Sequence, residues 1–474
     1  MPDARPGPPR ARPRGGRGAP ASAATPARVA AAEVLADLRA GQLLDPAFER
    51  RAAALDARDR RWLQELVYGL LRRRAWVDAV LEARVRGGLV SLDDDLVDLL
   101  RLGVQQLVAM GSVPAYAAIN QTVELAKARH GRGAGALANA VLRRVDRERA
   151  PGVGALDPPP PADPLEALAL RHSHPLWLVQ RWVERWGADD AERLLAANNA
   201  EAPVVARPYG TDAAGLRAAL GADGVAADDA PAGAVWPEGS VRLGRGAGPA
   251  PLTELDAFRR GLFHVQDPAS TFVTVYAVFP PGAAVADLCA APGGKALELA
   301  RTAGRVLAGD RSPARLARVA DNVRRLGAPN VLPFVGDAAA PPLDGVDALL
   351  VDVPCTGTGT FRRHPDARWR LRPSDLAVLP AEQRAILRAA ARCVRPGGLL
   401  VYSTCSVERE ENDDPVDAFL AGHPEWAPEP PPDGVVPHEV LDGGRLRVLP
   451  HRHGADGAFA ARLRRAGPRP AGGA

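Results

Sequence analysis

The chain has 474 residues, 46% of them hydrophobic and only 5% aromatic, which is length enough for two or three domains and a sizeable core. Its net charge of +4 comes almost wholly from arginine, since Lys127 and Lys295 are its two lysines; the balance permits a nucleic-acid partner without requiring one. Cys289, Cys355, Cys393 and Cys405 form no Cys-x-x-Cys pair, so no metal site is expected, and the lack of an apolar run of 18 residues excludes a membrane span and points to a reduced, cytoplasmic protein.

Residues 1–25 are rich in Arg, Pro, Gly and Ala. They cannot bury a core and are expected to be disordered. Apolar residues then recur at helical spacing over 27–39, 58–67, 70–81, 92–110, 117–128 and 134–145, with Ser91 as an N-cap for the fourth run. The reading is an all-α bundle over 26–148. Its arginine clusters, Arg72 to Arg74 with Arg143 and Arg144, suit either an RNA surface or solvated helix faces. Residues 149–164, rich in Pro, Gly and Asp, read as a linker. A small α+β unit follows over 165–265, with helices at 177–186 and 191–198 and strands at 204–207, 240–243 and 261–265. Trp177, Trp182 and Trp186 share a helical spacing that suits a core more often than a stacking platform. Residues 266–270 cap a helix that leads into the last domain, 266–468.

That domain is organised around Asp287-Leu288-Cys289-Ala290-Ala291-Pro292-Gly293-Gly294-Lys295, where a buried strand ends in a turn of small residues that opens a helix near Ala296. Small residues let a backbone approach a ligand, and a helix start offers unpaired N–H groups. The G-x-G-x-x-G dinucleotide fingerprint is absent. Further strands end in Asp310, Asp337 and Asp352, with a helix over 312–326 between the first two. In an open α/β sheet the carboxyl edge is where ligands bind, and an acid after the second strand commonly accepts ribose hydroxyls. Asp310 is therefore the ribose candidate and Asp337 the adenine-side one.

The strand that ends in Asp352 runs on into Pro354-Cys355-Thr356, and one more strand, from Leu399, runs into Thr404-Cys405-Ser406. A lone cysteine is usually a small buried hydrophobe, but two at equivalent ends of neighbouring strands, beside an adenosine-type pocket, can face one cleft. Cys393, inside the helical run 382–394, reads as core.

Together, Asp-Leu-Cys-Ala-Ala-Pro-Gly-Gly-Lys, a cysteine after Asp-x-Pro and a cysteine after Ser-Thr resemble the RNA cytosine-5 methyltransferases. The stretches 118–126 and 137–144 resemble the NusB family of RNA-binding domains, so the whole is similar to the RsmB (Sun, Fmu) type, which modifies 16S ribosomal RNA. Thr271, where glutamine is expected, and Ala458, in place of the usual phenylalanine, depart from the pattern. The resemblance implies a Rossmann-like class I methyltransferase sheet, S-adenosylmethionine as methyl donor and ribosomal RNA as partner; a monomer is the default expectation. It assigns the nucleophile to Cys405 and release of the product to Cys355. Asp352 would hold the N3/N4 edge of the cytosine and part of the sulfonium end, and Lys295 would favour the thiolate. The backbone of Cys289, Ala290, Ala291, Pro292, Gly293, Gly294 and Lys295 would hold the amino-acid part of the cofactor. Arg362, Arg363 and Arg368 are candidates for phosphate contacts or surface charges. The rival readings are a tRNA cytosine-5 methyltransferase and a NusB-like RNA-binding factor without catalysis.

Overall fold

The structure, a computed structural model, describes residues 24–149, 156–244 and 251–467; most of the expected disordered tail and part of the expected linker lie outside these. The chain divides into two compact units, Met1–Leu70 with Val77–Pro158 and Leu71–Trp76 with Pro159–Ala474.

The first unit is helical, built from α1 Pro26–Arg39, α2 Leu44–Ala52, α3 Ala57–Glu82, α4 Asp94–Ala109 and α5 Ala115–Glu148. The two runs expected at 58–67 and 70–81 are one helix, because nothing between them breaks the i→i−4 ladder. Asp56 caps it, accepting from the Asp59 N–H at 2.8 Å. Ser91 is not the cap of α4. It lies in the 3-10 turn Leu89–Ser91, and Asp93 accepts the Asp95 N–H at 2.9 Å instead. A carboxylate there also suits the positive end of the helix. Helix α5 breaks at Gly131 (φ 86°), where the sequence pattern already parts into two runs. Leu99, Leu100, Val104 and Leu142 are buried, and each such side chain contributes roughly 1.5–3 kcal/mol. Helix α2 carries too few periodic apolar residues to have been read from sequence.

The second unit opens with α6 Pro164–His172, α7 Leu176–Trp186 and α8 Ala188–Asn199. Trp182 is fully buried among Leu178, Val179, Leu194, Leu195 and Phe361, with Trp177 and Trp186 packed against the same cluster. Its indole N–H donates to Glu408 Oε1 at 2.9 Å, so it is core and not a stacking platform. Next come β1 Val205–Pro208, α9 Ala213–Ala222, β2 Ala227–Asp228, β3 Val241–Leu243, α10 Asp256–Arg259 and β4 Phe263–Val265. They form a small four-stranded sheet in the order β2-β3-β1-β4.

The remainder is α11 Pro268–Ala277, β5 Ala284–Asp287, α12 Gly294–Leu299, β6 Arg305–Asp310, α13 Pro313–Leu326, β7 Val331–Val335, β8 Val346–Asp352, α14 Ala367–Arg370, α15 Asp375–Cys393, β9 Val394–Thr404, α16 Asp413–Gly422, β10 Trp426–Pro428, β11 Leu441–Asp442, β12 Arg445–Val448, α17 Pro450–His453 and β13 Ala458–Arg465. The main sheet runs β11-β12-β13-β9-β8-β5-β6-β7, with β10 paired to β13. From β9 to β7 the strands are parallel, while β13 is antiparallel to β9. Strand β8 is buried along almost its whole length, as a central strand covered on both faces must be. Chain order reverses between β5 and β8, so the crevice at their carboxyl ends is the topological switch point of the sheet. The helix expected near Ala296 begins two residues earlier, behind Gly293 at φ 108°. Only glycine holds that φ without strain, and a Cβ there would meet Val319 Cγ1 at 3.3 Å. Cys393 is buried core. Among the described residues no helix is long and apolar enough to cross a membrane, and no cluster of His, Cys, Asp or Glu could hold a metal.

Candidate active site

Four acids and two thiols lie at the carboxyl edge of the sheet, where Asp287 pairs with Ala308 and Leu350, so that Asp310 and Asp352 reach two residues beyond it on the flanking strands. Asp287 ends β5, Asp310 ends β6 and Asp352 ends β8. Asp352 pairs with Ser403 of β9, so the loops after β8 and β9, which carry Cys355 and Cys405, leave the sheet side by side. Their sulfurs lie 3.2 Å apart, and both cysteines are free and partly exposed.

Lys295, one residue into α12, reaches across the switch point and donates to Asp352 Oδ2 at 2.7 Å. Ser403 Oγ donates to the other oxygen, Oδ1, at 2.9 Å. Burial works against the Lys295 ammonium, but Asp352, then Asp287 and the Cys405 sulfur, outweigh it and hold its pKa above the usual lysine value. Asp287 is the reverse case. It is 1% exposed, neither carboxylate oxygen has a side-chain hydrogen-bond partner, and burial raises its pKa to about 7, with Lys295 and the Cys289 N–H opposing the rise and Asp352 and Asp310 adding to it. Asp310 is buried, accepts the Ser312 N–H at 2.9 Å and has Arg315 3.4 Å away. Asp337, just past β7, is exposed and closes a turn by accepting the Ala339 N–H at 2.9 Å. The Cys289 thiol, turned into the sheet, has its pKa raised by burial and then by Asp287. It is held as a neutral side chain.

The Cys355 pKa stands well above the usual thiol value, first through its hydrogen bond with Cys405, then through burial, the Cys405 charge, Glu411 and Asp352. These neighbours favour the neutral Cys355 thiol, which is in hydrogen-bond contact with the Cys405 sulfur.

The cysteine loops are fastened to the rest of the domain by groups that sequence reasoning missed. Gly359 N–H donates to Cys405 O at 3.0 Å, and Gly457 N–H to Gly359 O at 2.7 Å. The Gly359 and Gly457 backbones touch, and a Cβ on Gly359 would lie 2.6 Å from Gly457 Cα. Glu411, fully buried, accepts from the Thr356 N–H at 2.8 Å, the Thr356 hydroxyl at 2.5 Å and Gln383 at 3.0 Å.

Arg362, Arg363 and Arg368 are neither surface charges nor free for phosphates. Arg362 and Arg363 both pair with Asp267 Oδ2, at 2.9 and 2.6 Å, and with Asp456. Arg368 is wholly buried and donates to Asn199 Oδ1 at 2.7 Å and Asn198 O at 2.9 Å. Asp267 also caps α11 through the Ala269 N–H at 2.8 Å and accepts the Asp456 N–H at 2.9 Å. Thr271, at the position that departs from the family pattern, donates to Gln266 Oε1 at 3.2 Å. Asp287 could have been found from sequence, since it stands at the same strand edge as the three acids singled out. The partners of Asp267 could not, lying 95 and 96 positions away.

A doubly wound parallel sheet with an antiparallel β13 inserted beside its last parallel strand, and an acid-lined switch point, defines a methyltransferase fold. The sequence matches the 16S rRNA methyltransferase RsmB/F family over residues 279–464, the NusB family over 25–147 and the ferredoxin-like domain of RsmF/B-like methyltransferases over 174–235. It is 35% identical over 447 residues to the ribosomal RNA small subunit methyltransferase B of Sodalis glossinidius, covering 92% of this chain and 97% of that one. The corresponding protein of Vibrio cholerae is 33% identical over 432 residues, covering 87% and 94%. The crystal structure of PH0851 superposes with a TM-score of 0.75 at 28% identity, over 93% of this chain and 98% of that one. The chain belongs to the RsmB/F family of 16S rRNA methyltransferases.

Proposed function

We propose that this protein transfers the methyl group of S-adenosylmethionine to carbon 5 of a cytosine in 16S ribosomal RNA, through a covalent bond between Cys405 and carbon 6. The observation that carries the reading is the pair of touching thiols at adjacent strand ends, with Asp352 beside them. Carbon 5 of cytosine is a poor nucleophile. A thiolate added at carbon 6 makes it enamine-like. Cys405 is the attacking sulfur, as the resemblance to the RNA cytosine-5 methyltransferases implies for the cysteine after Ser403-Thr404. Asp352, oriented by Lys295 and Ser403, would hold the N3/N4 edge of the base, supplying a proton or hydrogen bond as electrons flow to N3. The target base must leave any stack to be reached.

The residues present fit the cofactor. The orphaned Asp287 carboxylate is an acceptor waiting for a cation, which the ammonium of the methionine moiety provides. The turn from Cys289 to Lys295 brings backbone close to the same point. Asp310 would take the ribose and Asp337 the adenine side. S-adenosylmethionine supplies an electrophilic methyl group on sulfonium. After transfer, carbon 5 bears both the methyl group and a proton. Cys355, once its own proton has passed to solvent, or a base that it positions, takes this proton; the C–H electron pair forms the C5=C6 double bond, and the C6–S pair returns to Cys405. The NusB-like region, 26–148, would help hold the RNA.

The test uses purified Cys355→Ala with 16S rRNA and S-adenosylmethionine on a denaturing gel. A slow RNA–protein band that needs the cofactor and disappears when Cys405→Ala is added supports the reading. A band with tRNA and none with rRNA overturns the substrate. Methyl incorporation by Cys405→Ala alone overturns the mechanism.

A further inference from the structure

The mechanism leaves Glu411 unused. Among the described residues it has no ion pair, and its carboxylate is fully buried. Such a group costs several kcal/mol unless donors surround it. Three do, and two of them belong to the residue after Cys355: the Thr356 N–H and hydroxyl. The third, Gln383 Nε2, also donates to Pro354 O at 2.9 Å, the residue before Cys355. The Thr356 hydroxyl in turn lies 3.3 Å from the Ser406 hydroxyl, and Ser406 follows Cys405. Ser406 Oγ is 3.1 Å from Thr358 Oγ1 and accepts the Glu408 N–H at 3.0 Å. Glu411 is itself anchored by Tyr402 of β9, whose hydroxyl donates to Glu411 O at 2.6 Å. The neighbours of both cysteines thus converge on one carboxylate. Gln could replace it only in part, because all three incoming groups are donors and an amide offers one oxygen.

We propose that Glu411 is the positioning residue of the release step: through Thr356 and Ser406 it fixes Cys355 against Cys405, so that Cys355 meets the carbon 5 proton while Cys405 still holds carbon 6. The proposal rests on the roles given to the two cysteines above. Attack needs Cys405 alone, which stays fastened by Gly359. Release needs both loops in register, and a displacement of about 1 Å of a reacting group costs on the order of 100-fold.

The experiment compares Glu411→Ala, Glu411→Gln and Thr356→Val with the unmutated protein and Cys355→Ala, using 16S rRNA and S-adenosylmethionine. Turnover, the fraction of enzyme trapped as covalent adduct and the melting temperature are read together. Glu411→Ala is expected to lose about 10- to 100-fold in turnover while accumulating adduct as Cys355→Ala does, and Glu411→Gln to recover only part of the loss. Thr356→Val keeps the backbone N–H and removes only the hydroxyl link. It is expected to trap adduct too, and it decides the matter if Glu411→Ala does not fold. Turnover and adduct formation falling in parallel, or no trapping in a folded variant, overturns the proposal. Adduct with Cys355→Ala but not with these variants sinks Glu411 alone, whereas no adduct with Cys355→Ala sinks the cysteine assignment itself.

Discussion

Replacing Asp287 by Asn should make the ligand-free protein more stable and the cofactor bind more weakly. The carboxyl has an ordinary value of 3.8 and is raised by burial to about 7 in the fold. An acid with a raised folded pKa costs nothing below 3.8, where both states are protonated. Between 3.8 and about 7 the unfolded chain ionises and the folded one resists, so stability falls as pH rises; above about 7 the cost is constant. At ~1.36 kcal/mol per pH unit the gap amounts to about 4 kcal/mol at neutral pH. A buried Asn with no partner forfeits about 1–3 kcal/mol of this. The variant should therefore gain about 1–3 kcal/mol, a rise of a few degrees in melting temperature at pH 8.

Cofactor binding should move the other way. The ammonium group needs the ionised carboxylate, so native affinity should weaken about tenfold per pH unit below 7. Asp287→Asn should abolish that slope and, at pH 7.5, bind about 10- to 100-fold more weakly, the worth of a charge-assisted hydrogen bond. Differential scanning calorimetry and calorimetric titration with S-adenosylmethionine between pH 5.5 and 7.5 measure both. A variant that melts below the native protein without ligand at pH 8, or that keeps the native pH slope, refutes the reasoning.

Gly359→Ala places a methyl group against Gly457 Cα and, at 2.7 Å, against Cys405 O. Both are backbone, so the cysteine loop must shift; a loss of about 1–3 kcal/mol in urea unfolding and at least a tenfold fall in turnover are expected, and unchanged turnover would show that the glycine pair does not hold Cys405. Asp267→Ala removes one of the two carboxylates that pair with buried Arg362 and half-buried Arg363, and the cap of α11, for which about 3–5 kcal/mol is expected, measured by chemical denaturation; a loss under 1 kcal/mol would mean the Asp267 pairs contribute nothing. Lys295→Met strips Asp352 of its cation while Asp287 and Asp310 remain close. Turnover should fall at least about 100-fold, with Lys295→Arg no rescue because its fork does not fit a single 2.7 Å contact. An active Lys295→Met would remove the lysine from the mechanism.

The helical region, the small α+β unit and the doubly wound sheet were legible because each follows a local period. Strands β5, β6 and β8 are apolar runs closed by an acid, and central parallel strands buried on both faces have to read that way. What stayed hidden is set by distant partners. Nothing local distinguishes Arg362 and Arg363 from a basic surface loop; their charges are taken up by Asp267 and Asp456, one from the N-cap of α11 and the other from the turn before β13. Ser91 lost its capping place to Asp93 by a local competition that propensity leaves open, since both residue types cap well. Glu411 is one of several acids after Cys405, and only the fold brings Thr356 to it.

The two cysteines differ because of where the chain returns. Each leaves a parallel strand at the same edge, and by position alone they are equivalent. Strand β13 breaks the symmetry. It pairs only with β9 of these two, with Phe459 opposite Thr404, and the turn before it lays Gly457 against Gly359 behind Cys405. Cys405 is thereby held by main-chain bonds through Gly359, while Cys355 is held through Thr356 by a side-chain carboxylate. A nucleophile that must form and break a bond is best placed on the stiffer support. The group that acts once the bond has formed can sit on an adjustable one. That division of supports predicts unequal sensitivity: backbone changes at 359 and 457 should slow adduct formation, and side-chain changes at 356 and 411 should slow only its release.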